Sequence, residues 1–183
     1  MSFILGKKMR MTQIWQGEKV IPVTVVKAAP NQVSLIRTSE KDGYEAAQLA
    51  LGKTKREFRL TGREEVKLET GQKVDVSSFK EGDKVKVSGL NKGRGFQGVV
   101  KRHGFAGGPR THGQKNRLRH PGSIGSTAFQ RVVPGRRMGG RMGQERISVQ
   151  NLYVAAIDTE KQLIMIKGAL PGMPGTLLEI RKV

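Results

Sequence analysis

Sixty-one consecutive residues, Lys84 to Gln144, contain no aspartate or glutamate, where the chain's mean acid content would place about five. In their place stand fourteen Lys and Arg, all three histidines, and a glycine or proline at about every fourth position. Such a stretch is poor core material, because unpaired charge is costly to bury and glycine and proline interrupt regular elements. It is expected to form an extended, irregular segment that is ordered against a polyanion, with RNA the expected partner.

On either side the grammar is that of β-strands. Ile21, Val23 and Val25 alternate with Pro22 and Thr24; Val33, Leu35 and Ile36 follow Pro30-Asn31; Tyr44 to Leu51 follows Asp42-Gly43. Lys53 to Lys67 mixes both charge signs without pattern and is expected to be an exposed connection, with a strand near Glu65 to Leu68. Phe79 to Asp83 forms a turn into a strand at Val85 and Val87. A short helix is expected over Phe96 to His103. After Glu145 the alternation returns in Ser148 to Ile157, a turn at Asp158 to Lys161, a return strand Leu163 to Ile166, and a last strand Thr176 to Ile180.

Short, evenly spaced strands favour closure into a barrel, which removes exposed edges. The fold class expected is mainly β, a barrel body formed by residues 1–90 and 145–183 with a long glycine-rich basic extension, residues 91–144, inserted between its strands. Asn91 to Arg146 holds thirteen Lys and Arg against one acid, most of the formal net charge of +19. That imbalance requires an anionic partner, and no apolar run approaches the roughly eighteen residues a membrane-spanning helix needs. The opening residues Met1 to Gly6 are too short and wrongly flanked for a signal peptide. With no cysteine, thiolate zinc modules and disulfides are excluded.

The candidate contacts to RNA are the cations and histidines in and beside the extension: Lys92, Arg94, Lys101, Arg102, His103, Arg110, His112, Lys115, Arg117, Arg119, His120, Arg131, Arg136, Arg137, Arg141 and Arg146. Most are arginines, whose planar guanidinium can grip phosphate through two N–H groups and stack on bases. Phe96, Phe105 and Phe129 either stack on unpaired bases or pin the extension to the body. Other chemistries fare worse. Gly93-Arg94-Gly95-Phe96-Gln97-Gly98 matches G-x-G-x-x-G, but no acid follows before Glu145 to hold a ribose and no second parallel unit follows. These glycines are better suited to letting backbone amides approach phosphates. The histidines, nine and eight residues apart, share no helix face and have no carboxylate nearby in sequence, so no metal is expected. Ser123 misses the nucleophile-elbow pattern, and the acid-free stretch offers nothing to orient a base, so neither catalysis, a cofactor nor a small-molecule substrate is expected. A nucleic-acid chaperone or DNA architectural protein stays open on these grounds.

More specific patterns recur along the chain: Leu5-Gly6-Lys7-Lys8-Met9 with Met11-Thr12-Gln13-Ile14-Trp15, then Ile21 to Val25, Lys92 to Gly98, and Thr111-His112-Gly113. Pro121-Gly122-Ser123-Ile124-Gly125, Met138-Gly139-Gly140, Met142-Gly143 and Ile166 to Gly172 complete them. In this order they resemble the bacterial form of the ribosomal protein L-three family. The resemblance implies a translation-protein type β-barrel, an extension entering large-subunit ribosomal RNA, a part in early subunit assembly, and a cytoplasmic location in the ribosome. It also implies ribosomal proteins L-fourteen and L-nineteen as neighbours. It places the tip of the extension, near the peptidyl-transferase centre, at Gly122, Ser123, Ile124, Gly125, Ser126, Thr127, Ala128, Phe129 and Gln130. The chain departs from the family pattern at Arg10, usually glycine, at Ser126, at Phe129-Gln130 in place of a Pro-Gly turn, and in a shorter Lys53 to Glu64.

Overall fold

Phe3, Ile4 and Leu5 open the first strand and all three are buried, although alternate residues of a strand face opposite ways. Both faces of that strand must therefore be covered. The computed structural model, which describes residues 3–60 and 68–183, shows how. In chain order its elements are β1 (Phe3–Gln16), β2 (Lys19–Lys27), β3 (Asn31–Arg37), the short helix α1 (Ser39–Asp42), β4 (Ala46–Leu51), β5 (Thr54–Arg59), β6 (Lys73–Val74) and β7 (Lys84–Leu90). They continue with β8 (Phe96–Gln97), the helix α2 (Val99–His103), β9 (Gly140–Arg141), β10 (Arg146–Asp158), β11 (Leu163–Lys167) and β12 (Leu177–Lys182). The chain divides into two compact units, a body formed by Met1–Asn91 with Arg146–Val183 and an insertion formed by Lys92–Glu145.

In the body six strands close on themselves as an antiparallel ring, in the order β1-β12-β7-β10-β11-β2, with β2 pairing back onto β1. Inside it Ile4, Val26, Val85, Val87, Ile164, Ile166, Leu178 and Ile180 form one core. The other face of β1 presents Phe3 and Leu5 to a second core with Val33, Leu49 and Phe58. That core belongs to a separate four-stranded sheet, β5-β4-β3-β6. The rings of Phe3 and Phe58 stack at 4.5 Å between centroids, a contact worth about 1 kcal/mol beyond its buried area.

Several expectations are corrected here. The strands around Val33 and Leu49 do not join the ring, because alternation marks a half-buried strand without saying which sheet it enters. Part of the supposed exposed connection is the strand β5, where Phe58 alone is buried among charged neighbours. The expected strand near Glu65 to Leu68 falls, except for Leu68, outside the described residues. The helix expected from Phe96 starts only at Val99, since Phe96 and Gln97 pair as β8 with β9.

The segment between β11 and β12 is tied down by side chains of the first hairpin. Lys8, buried on β1, donates from Nζ to the carbonyls of Leu170 at 2.7 Å and Gly172 at 2.9 Å. Thr24 Oγ1 donates to the Gly168 carbonyl at 2.6 Å. Charged and hydroxyl donors thus satisfy carbonyls of a loop that has no strand partner of its own.

Candidate nucleic-acid interface

The insertion returns on itself through non-local backbone bonds. Phe96 and Gln97 of β8 stand opposite Arg141 and Gly140 of β9, the Arg94 amide donates to the Met142 carbonyl at 2.9 Å, and the Met142 amide donates to the Gly95 carbonyl at 3.0 Å. The helix α2 ends at Gly104 in the left-handed region, and its last residues hold the returning chain. Arg102 Nη1 donates to the Met138 carbonyl at 2.9 Å, and His103 Nε2 lies 3.0 Å from the same oxygen. Farther out, the Gly108 amide donates to the Leu118 carbonyl at 2.9 Å. A Cβ on Gly107 would stand 2.1 Å from that carbonyl oxygen, so only glycine permits the approach.

Between these fixed points the chain is sparsely bonded. A single 3-10 turn, Thr127–Phe129, interrupts it, with Ser126 Oγ accepting from the Ala128 amide at 3.3 Å and Gln130 in the left-handed region. Arg136 donates to the Ser123 carbonyl, joining the start of the segment Gly122 to Gln130 to the chain beyond it. A hollow of about 740 Å³ opens among Phe105, Gln114, Arg117, His120 and the backbone of Gly107 and Gly122. Its mixture of ring, amide, cation and bare backbone suits a planar, hydrogen-bonding, anion-linked group such as a nucleotide.

Of the sixteen cations and histidines singled out in the sequence, fifteen lie on the insertion's exposed surface or just beside it, and His103 is half-buried. The structure separates them by what they touch. Arg102, His103, Arg136 and Arg141 bond to the insertion's own chain, Arg141 to the Gln144 amide oxygen. Arg146 lies outside the insertion, at the start of β10, and pairs with Glu179. Among the described residues Arg110, Lys115, Arg117, Arg119, Arg131 and Arg137 have no hydrogen-bonded side-chain partner. Twelve Lys and Arg against the single acid Glu145 leave residues 92–145 with little internal counter-charge.

The aromatic residues also divide. Phe96 and Phe129 are 79 % and 62 % exposed, whereas Phe105 is half-buried with its ring 6.1 Å from that of His103. Exposed rings have a face that a base can stack on, whereas Phe105 is part of the insertion's own packing. Gly98 caps a five-residue helix after a two-residue antiparallel strand, which is not the parallel strand-helix unit of a dinucleotide site. Among the described residues no three His, Cys, Asp or Glu side chains are grouped to hold a metal ion.

Comparison with known proteins decides the family. The model of ribosomal protein L3 matches residues 10–162. A large ribosomal subunit protein uL3 of Dehalococcoides mccartyi is 46 % identical over 198 aligned residues, covering 98 % of this chain and 97 % of the relative. Those of Herpetosiphon aurantiacus and Streptomyces coelicolor are 47 % and 45 % identical, covering 98 % and 97 % of this chain.

The chain belongs to the ribosomal protein L3 family.

Membership gives it a structural role in the ribosome rather than an enzymatic one, and agrees with RNA binding as the use of its charge. The L3 alignments run to 198–203 positions against 183 residues here, so the relatives carry residues this L3 chain lacks. The expected site of that shortening, Lys53 to Glu64, lies partly outside the described residues.

Proposed function

We propose that this chain is a structural constituent of the large ribosomal subunit that binds ribosomal RNA chiefly through the insertion, residues 92–145. The body is a barrel of the translation-protein type, and the insertion is an arm whose tip, Gly122 to Gln130, extends toward the peptidyl-transferase centre. In this role the protein joins the subunit early in assembly, with the family's L-fourteen and L-nineteen as neighbours. The observation that carries the reading is the exposed set Arg110, Lys115, Arg117, Arg119, Arg131 and Arg137, whose side chains have no hydrogen-bonded partner among the described residues. Charge arranged without internal compensation is stabilised when an external anion supplies it.

The mechanism is release of counterions. Each phosphate neutralised by Lys or Arg frees condensed cations, so binding weakens as salt rises, by a slope of about 0.7 to 0.9 per phosphate. Arginine adds two-point contacts to phosphate, and Phe96 and Phe129 add stacking on unpaired bases. Sequence is read only weakly by such contacts, since shape and backbone dominate where the RNA major groove excludes side chains. Sedimentation of a cell extract tests the assignment: the chain travels with large subunits and their precursors, whereas a chain confined to the light fractions or following DNA refutes it.

A further inference from the structure

The body holds a second concentration of cations, built on a different principle. Glu179, on the outer face of β12 with its side chain 13 % exposed, is shared by two arginines from two different sheets. Arg56 of the edge strand β5 approaches Oε1 with Nε at 3.4 Å, and Arg146 at the start of β10 bonds Oε2. Their side chains are 51 % and 61 % exposed, and although Arg56 Nη1 also donates to the Lys55 carbonyl at 3.0 Å, each guanidinium keeps further N–H donors.

Two clefts of about 290 and 460 Å³ adjoin at Glu179, between β5 and the outer face of β12, β7 and β10. The smaller is lined by Arg59, Lys86, Arg146 and Arg181. Lys86 stands directly opposite Arg181 on the neighbouring strand. The same cleft contains the hydroxyls of Ser88 and Ser148, 2.7 Å apart. One hydroxyl hydrogen serves that bond and the other is available to an acceptor. Among the described residues the acids lining the two clefts are Glu179, paired with its two arginines, and Glu57, which accepts from Arg37, Tyr44 and Gln48.

We propose that this cleft is a second RNA site, which seats backbone phosphates of a strand running along the body between β5 and β12. Glu179 is its positioning residue: it holds Arg56 and Arg146 beside the cleft so that their remaining N–H groups meet the phosphates, and Arg59 and Lys86, each on a phosphate, complete the seat with the serine pair. The choice of RNA as the anion rests on the function proposed above. An acidic protein segment would meet the same charges, but it would not follow the salt law of a phosphate backbone.

The test measures binding of large-subunit ribosomal RNA to the full chain over a range of salt, for the wild type, for R59Q with K86Q, and for R117Q with R119Q in the insertion. The cleft variant is expected to give a salt slope shallower by about two units, one for each phosphate that is no longer neutralised. A cleft variant that binds like the wild type while the insertion variant is weakened overturns the cleft and leaves the insertion's role standing. Wild-type binding by both variants overturns the RNA reading as well. A readout that needs no substitution is the reactivity of lysines toward an amine reagent with and without RNA. Lys86 becomes protected while Lys161, 75 % exposed at the β10–β11 turn, stays reactive; an unprotected Lys86 beside protected Lys101 and Lys115 overturns the cleft.

Discussion

Leu178 lies against Gly89, its partner on the neighbouring strand, so closely that a Cβ on the glycine would stand 2.7 Å from Leu178 Cδ2. On its other side Leu178 faces Gly6 of β1, so a fully buried leucine is flanked by glycines on both adjoining strands. Alternation of large and small residues is what a narrow closed ring requires to fill its interior without overlap. Gly89→Ala is therefore expected to destabilise the body by about 1–3 kcal/mol through overpacking, since the added Cβ presses on the fully buried Leu178. Chemical denaturation of the two proteins measures it, and an alanine variant as stable as the wild type contradicts the packing described.

Lys8 gives a prediction of a different kind. Replacing it by methionine keeps the length of the side chain and removes the donor to the carbonyls of Leu170 and Gly172. Two loop carbonyls are then left without their partner, for which a loss of about 1–3 kcal/mol is expected. Hydrogen exchange locates the effect: amides between β11 and β12 exchange faster in the variant, and an unchanged pattern there would count against the tether.

Acid should weaken the body through Asp83. The Lys182 ammonium, 2.6 Å from Asp83 Oδ1, holds this carboxyl below the usual carboxylate range, helped by the Lys80 amide on Oδ2 and opposed by burial. A folded-state value below the unfolded value of about 3.9 means that the contribution is present above that pH and lost as pH falls through the folded value. Glu57, lowered chiefly by Arg37, behaves the same way. The stability gap between wild type and Asp83→Asn should accordingly close as pH falls below about 4; a gap that is constant from pH 6 to pH 3 excludes the pairing as its source.

The parts of this fold visible in the sequence are those where one face of a strand is buried and the other wet. The hairpin of β10 and β11 is one example: the Asp158 to Lys161 turn is legible, and in the structure Asp158 Oδ1 accepts the Lys161 amide at 2.9 Å. β1 is less legible, because its first residues are buried on both faces and those from Met9 onward are almost all exposed, so neither half alternates. β5 hides for a related reason, with Phe58 its one buried side chain. The start of α2 depends on Phe96 meeting Arg141, forty-five residues away, which no local pattern encodes. In the interface, residue type identified the cations but could not separate Arg117, which is free to meet a ligand, from Arg102, which holds Met138. The cleft at Glu179 was hidden because Arg56, Arg146 and Glu179 come from three distant segments.

The central claim is that residues 92–145 carry the main contact with RNA. Leu90 and Arg146 are direct partners on β7 and β10, so the insertion can be excised and its ends joined by a short turn without breaking the ring. Binding of both proteins to large-subunit ribosomal RNA, measured from low to high salt, tests it most directly. The account predicts that excision lowers affinity by orders of magnitude and flattens the salt dependence by several units, leaving the smaller slope of the body. Equal affinity and equal slope for the two proteins would contradict it.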